Sequence, residues 1–133
     1  PNMIERVENN LLSYGNEMTN CDTPYDCGLG NFCNLDTNYD FIGKSALLKQ
    51  KKVGFKKDIF KIHFTFERED KPVFFNNLPI FKKDVEIGRA TSIVWSPKHF
   101  KYVGFLIAKQ NIMENLNDYY ILDKVKFDLY NIS

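Results

Sequence analysis

Ile59-Phe60-Lys61-Ile62-His63-Phe64-Thr65-Phe66 alternates in part between apolar and polar residues. A period of two built from aromatic and β-branched side chains is the pattern of a half-buried strand. The same reading continues downstream. Val73-Phe74-Phe75 precedes Asn76-Asn77, a turn signal, and Pro79-Ile80-Phe81 and Val85-Glu86-Ile87-Gly88 follow. Ala90 to Trp95 and Tyr102 to Ala108 read as two more strands separated by a Ser96-Pro97 turn. Asn111 to Asn117 is polar and reads as a loop or one helical turn, and Val125 to Tyr130 alternates again. Short strands divided by turns predict a small antiparallel β-barrel or sandwich.

Upstream of Lys57 the period changes. Met3, Ile4, Val7, Leu11 and Leu12 fall on one stripe of a helix from Asn2 to Tyr14, which Gly15-Asn16 would stop. Thr23-Pro24 opens a short helical turn, and Phe32 to Leu35 reads as a brief strand. Gly43 to Val53 predicts a second helix with Ala46, Leu47 and Leu48 facing inward. The lysines around its end complement the helix dipole. The fold class is therefore α+β: two or three helices in the first ~55 residues, then the strands.

The 133 residues are 44% hydrophobic and 26% charged, an ordinary globular composition, with a net charge of +1. That balance argues against nucleic acid or an anionic membrane as a partner. No apolar run approaches the roughly 18 residues of a membrane span. Cys21, Cys27 and Cys33 are odd in number and favour reduced thiols in a cytoplasmic setting. Their spacing of six, with no His nearby, does not fit a zinc site, so no metal is expected. Asn131-Ile132-Ser133 is a sequon read as chance.

Several residues carry two readings. Glu5, Arg6 and Glu8 fit an acid–base group, or a structural salt-bridge set at helical spacing, which is favoured. Gly28-Leu29-Gly30 lacks the third glycine and preceding strand of a phosphate cradle and reads as a tight turn. His63, in an apolar strand and with no second His or Cys to pair with it, reads as a core or rim histidine. Trp95 reads as barrel packing in preference to a substrate-closing aromatic, and Tyr14 as a helix-end packing aromatic in preference to a residue lining a ligand site.

Four pieces in order carry a family resemblance: Glu5-Arg6-Val7-Glu8, Leu11-Leu12-Ser13-Tyr14-Gly15-Asn16-Glu17, Thr23-Pro24-Tyr25-Asp26-Cys27-Gly28-Leu29-Gly30, and Asp40-Phe41-Ile42-Gly43-Lys44-Ser45-Ala46-Leu47. Together with Gly88-Arg89-Ala90-Thr91-Ser92, Ser96-Pro97 and Val103-Gly104-Phe105, the chain resembles the C-terminal part of the folate-dependent aminomethyltransferase, or glycine-cleavage T-protein, superfamily. Pro1 to Glu8 with Leu11 to Asn16 is most similar to its dimethylsulfoniopropionate demethylase branch. T-proteins usually carry Arg-Asp-Ser-Leu-Arg at the start, where Asn2 would take the place of the first Arg. They also often carry Trp where Asn31 stands here.

The resemblance implies a remnant of the folate-binding domain over 1–57. It implies a C-terminal β-barrel over 58–133 that lacks its last strand. It implies tetrahydrofolate as cofactor and a small-molecule methyl donor, dimethylsulfoniopropionate or an N-methyl amino acid. A homodimer of the parent is a further expectation. Asn2, Tyr14 and Asn31 fall on folate-side positions, and no catalytic residue falls in this chain. Both ends would be cut, leaving the Met3, Ile4, Val7 and Leu11 stripe exposed and the Val125 to Leu129 strand as an open edge. The alternatives are a T-protein, the folate module of dimethylglycine or sarcosine dehydrogenase, or a non-catalytic folate-binding protein. The related iron–sulfur assembly factors carry a Lys-Gly-Cys-Tyr-x-Gly-Gln-Glu motif that this sequence lacks.

Overall fold

The computed structural model describes residues 2–64, 74–82, 84–109, 119–121 and 127–129. The sequence readings on Thr65-Phe66, Val73, Asn111 to Asn117, Val125-Lys126 and Tyr130 lie outside the described residues.

Helix α1 is Met3–Glu8, shorter than the apolar stripe predicted. Asn2 caps it, its side chain accepting from the Glu5 N–H at 2.9 Å. Asn10 ends it at φ 58, a left-handed conformation that Asn tolerates better than most residues. The Leu11 N–H then reaches Arg6 O at 2.9 Å and the Asn10 N–H reaches Val7 O at 3.2 Å. That pair of bonds closes a Schellman stop, so the chain leaves the helix five residues before Gly15.

Among the described residues, seven antiparallel strands form one sheet: β1 (Lys57–Phe64), β2 (Phe74–Phe75), β3 (Leu78–Lys82), β4 (Val85–Ser96), β5 (Lys101–Lys109), β6 (Tyr119–Ile121) and β7 (Phe127–Leu129). Their order is β6-β3-β4-β5-β1-β7, with β2 pairing β4 beyond β3. The α+β class with an antiparallel sheet therefore holds, and the word barrel fits that sheet loosely. Closure needs a ladder between the terminal strands; among the described residues β6 meets only β3, and β7 meets only β1. Asn76-Asn77 is not a hairpin turn either. β2 and β3 both pair with β4 in the same sense, at Phe75↔Ile93 and Leu78↔Ala90, so these asparagines interrupt one edge.

The pleat sorts the side chains. One face gathers Ile62, Ile80, Ile87, Ala90, Ile93, Tyr102, Leu106 and Ala108, all buried, with Phe60, Leu78 and Trp95 against them. Trp95 meets Tyr102 edge-on at 5.2 Å, the packing role read from the sequence. Each fully buried Ile or Leu contributes roughly 1.5–3 kcal/mol relative to exposure. The other face carries Val94, Val103 and Phe105, and α1 lies on it through Val7, with Met3, Leu12 and Ile59 completing the cluster. The expected exposed stripe is thereby corrected. Val7 is wholly buried, Met3 is partly buried, and Ile4 and Leu11 alone of the four stay exposed. The sheet of this same chain supplies the partner that had been assigned to missing residues.

A bulge between Thr91 and Val94 breaks the β4–β5 register. Ser92 sits there at φ 54. Gly104 lies opposite, where a Cβ would come within 3.0 Å of Ile93 Cγ1 and Thr91 O, so the extra residue fits only against glycine. The bulge turns the Ser92 side chain onto the α1 face, as bulges re-aim side chains elsewhere.

The remaining N-terminal elements are a 3₁₀ turn at Gly30–Phe32, in place of the predicted strand, and helix α2, Lys44–Val53. No residue of α2 is buried. Ala46 and Leu48, expected to face inward, are exposed, and Leu47 is half-buried. A 3.6-residue period defines a stripe; it does not supply a surface to cover it.

Candidate functional site

Among the described residues, the Ser13–Met18 turn is held by a network of buried hydrogen bonds. Glu17 is 1% exposed and its carboxylate is divided among three donors. Oε2 accepts from Arg6 Nη1 at 2.9 Å and from the Ser13 N–H at 2.7 Å. Oε1 accepts from the Ser92 hydroxyl at 2.5 Å. Ser92 Oγ in turn accepts from Arg6 Nη2 at 2.5 Å. Arg6 also donates to Leu11 O at 2.8 Å and lies 5.9 Å from the Phe105 ring centre. Arg6, Glu17 and Ser92 thus form a closed buried clasp joining α1, the turn and the β4 bulge. Arg6 pairs with Glu17 and not with Glu5 or Glu8, which corrects the helical salt-bridge set read from the sequence.

The bulge holds the turn a second way. Asn76 Oδ1 accepts from the Ser92 N–H at 3.2 Å and from the Thr91 hydroxyl. Asn76 Nδ2 donates to Asn16 Oδ1 at 3.1 Å, and Lys57 Nζ donates to Glu17 O at 3.0 Å. The Gly15 N–H bonds Met18 O at 2.8 Å across the base of the turn. Tyr14 rides on this frame with its side chain 68% exposed.

A second buried carboxylate, Asp26, organises the following loop. Oδ2 accepts from the Thr23 hydroxyl at 2.7 Å, the Thr23 N–H at 3.0 Å and Gln50 Nε2 at 3.2 Å, and Oδ1 from the Lys56 N–H at 2.8 Å. Burial pushes the Asp26 carboxyl up, but these bonds together outweigh it and hold the group below the usual aspartate range. Asp22 follows the same pattern: burial raises it, and Lys57 with Thr19 more than offsets that. Lys57 Nζ lies 2.9 Å from Asp22 Oδ1.

A folded-state value below the unfolded one means that Asp26 contributes stability fully present above the ordinary value of 3.8. That contribution is lost as pH falls through the lower folded value. The denaturant midpoint is therefore expected to hold from neutral pH to about pH 5 and then fall. Asp26→Asn is expected to cost about 1–3 kcal/mol at neutral pH and to make the acid limb shallower. Urea unfolding at a series of pH values measures both, and an unchanged acid limb in the variant would remove Asp26 as its cause.

The Asp26 loop also forms one wall of a cleft of about 520 Å³ lined by Tyr25, Asn31, Lys51, Phe55, Asp58 and Phe60, among others. Tyr25 and Phe55 stack with centroids 6.0 Å apart and planes 8° apart. Gly30 lets the Tyr25 ring lie flat on the backbone, since a Cβ there would come 2.6 Å from Tyr25 Cδ1. Gly28-Leu29-Gly30 is therefore packing and turn geometry. The three candidate folate-side residues are not brought into one cavity. Asn31 lines the cleft; Asn2 caps α1; Tyr14 stands on the clasped turn.

Sequence reasoning passed over Glu17 as a functional residue, although it lies inside one of the four motif pieces. It also passed over His99, whose ring lies 5.3 Å from that of His63. The β1–β5 register sets His63 opposite Val103, just past the β4–β5 turn that carries His99. Nearby, the Ser96 hydroxyl donates to Glu8 Oε1 and accepts from the His99 N–H at 3.1 Å. Lys61 Nζ donates to Glu8 O at 2.7 Å. Cys21, Cys27 and Cys33 carry free thiols, and burial pushes that of Cys27 up. Among the described residues no group of three His, Cys, Asp or Glu could hold a metal, and no helix is long and apolar enough to cross a membrane.

No family model matches the chain. A glycine cleavage system aminomethyltransferase T from Bartonella henselae superposes with a TM-score of 0.76 over 96% of this chain and 36% of its own, at 17% identity, and shares the fold. An aminomethyltransferase from Clostridium botulinum is 36% identical over 105 residues, which is 79% of this chain and 27% of that protein. The chain belongs to the aminomethyltransferase superfamily that includes the glycine-cleavage T-protein. Within it, identity rises to 43% over 98 residues with the dimethylsulfoniopropionate demethylase DmdA of Ruegeria pomeroyi, across 74% of this chain and 26% of that enzyme. The chain spans about a quarter of the length of the curated relatives it matches.

Proposed function

We propose that the chain is part of a tetrahydrofolate-dependent methyl- or aminomethyltransferase acting in the cytoplasm, and that its methyl donor is dimethylsulfoniopropionate. The observation that carries this reading is the higher identity to the demethylase, 43% against 36% for the Clostridium botulinum aminomethyltransferase. Asn2 and Asn31, where T-proteins usually carry Arg and Trp, support the same branch. In that reaction the S–CH₃ bond breaks with its electron pair left on sulfur, and the methyl joins a folate nitrogen that gives up a proton. A sulfonium is an activated donor, so positioning and electrostatics supply much of the rate.

The residues present fit tetrahydrofolate as one side of its site. Asn31 sits in a cleft walled by Tyr25, Phe55 and Phe60 with Lys51 at hand, suited to an aromatic ring and a carboxylate. Tyr14 offers an exposed aromatic on a fixed turn. The remaining contacts and the catalytic acid would come from the rest of a longer parent, with residues 1–57 belonging to its folate-binding domain and 58–133 to its C-terminal domain.

The test is an assay of the full-length parent with tetrahydrofolate. The expected result is turnover of dimethylsulfoniopropionate at least about 100-fold more efficient, by kcat/KM, than that of N-methyl glycine derivatives, a difference of about 2.7 kcal/mol in transition-state binding. The reverse preference would favour the dehydrogenase-type folate module. Aminomethyl transfer from a lipoyl carrier would favour a T-protein. Folate binding without turnover of any donor would favour a binding protein.

A further inference from the structure

We infer that Glu17, held by Arg6 and Ser92, is a positioning residue that fixes the Tyr14 turn for tetrahydrofolate; this rests on the reading under Proposed function. The turn is over-determined for a surface loop. Its backbone is held by Ser13 N–H to Glu17 Oε2 at 2.7 Å, Gly15 N–H to Met18 O at 2.8 Å and Lys57 Nζ to Glu17 O at 3.0 Å. Its side chains are tied to β4 through Asn16 and Asn76.

Two features of the clasp are costly. Arg6 and Glu17 are charged groups withdrawn from water, where an apolar pair of like volume is often as stable. Ser92 is a non-glycine residue at φ 54, a conformation that persists only when the surroundings dictate it and that concentrates at functional sites. The clasp docks α1, with the core residue Val7, onto β4, and its reach extends beyond the core. It holds Tyr14, a large aromatic displayed at 68% exposure. A turn that presents it in one place suits a ligand with planar rings, because an aromatic fixed in advance loses little freedom on binding.

The experiment uses the full-length parent with Glu17→Gln and Ser92→Gly. Gln keeps the size of the side chain but removes its charge; Gly removes the hydroxyl and suits the backbone at position 92. The expected result for each is a KM for tetrahydrofolate raised about tenfold, roughly one lost hydrogen bond to a charged group, with kcat within about twofold. Hydrogen exchange of residues 13–18 should rise by more than that of β4 and β5, most clearly in Ser92→Gly, which leaves the Arg6–Glu17 pair in place; that separates a loosened turn from a destabilised fold. Unchanged exchange at 13–18 overturns the inference. So does a raised exchange rate with an unchanged KM in a parent that uses tetrahydrofolate. A parent that never engages tetrahydrofolate overturns the Proposed function and this inference together, a result distinct from the other two because the unsubstituted protein gives it.

Discussion

Glu17→Ala is expected to lower the unfolding free energy by about 3–5 kcal/mol, the cost of leaving a buried charge without its partner. Arg6 would keep Leu11 O and Ser92 Oγ, at 2.8 and 2.5 Å, but would have no anion. The Ser13 N–H and the Ser92 hydroxyl would each lose an acceptor in the same step. Arg6→Met should cost a similar amount by the converse route. The two changes together, as Arg6→Met with Glu17→Leu, should cost much less than their sum. The second substitution removes a charge that the first had stranded, and residues in one network do not add. Urea denaturation of the two single variants and the double variant gives the coupling directly. Single losses below about 1 kcal/mol would mean that water already reaches the clasp and that it is worth no more than a surface pair.

Why the clasp escaped the sequence is itself physical. The strands were legible because a period of two leaves its mark in single residues: Phe60 and Ile62 alternate with Ile59, Lys61 and His63, and they do go to opposite faces. The Thr91–Ser92 pair carried a family pattern, but nothing local announces a bulge. With no bulge, Ser92 would point at the Ile93 face and could not meet Glu17, 75 positions away. The helix stripe failed at its end for a local reason, the Schellman stop at Asn10. It failed at its partner for a non-local one, since Val7 packs on Val94, Val103 and Phe105. Of the candidate site, the residue types at Tyr14 and Asn31 were readable. That Asn31 enters a cleft and Tyr14 does not depends on Gly30, Tyr25 and Phe55 stacking, which no periodicity records.

On the proposed reading of the chain as part of a longer tetrahydrofolate-dependent enzyme, the 133 residues by themselves are expected to bind tetrahydrofolate at least about 100-fold more weakly than that full-length parent, and to transfer no methyl group. A ligand site needs a few polar groups converging on one concavity that covers most of the ligand. Here the concavity holds one of the three candidate groups, Asn31, and not the other two. The cleft of about 520 Å³ has room for a ring and offers Asn31, Lys51 and Asp58, but neither Asn2 nor Tyr14 lines it. Two hydrogen bonds missing at about 1–1.5 kcal/mol each correspond to about 100-fold in affinity. Transfer demands more than binding: a donor must also be held in line with the acceptor nitrogen. Isothermal titration of the chain and of the full-length parent with tetrahydrofolate compares the two affinities. Micromolar binding by the chain, lost on Asn31→Ala and untouched by Tyr14→Ala, would put the whole folate site in this cleft and overturn the division of the site between this chain and the rest of the parent.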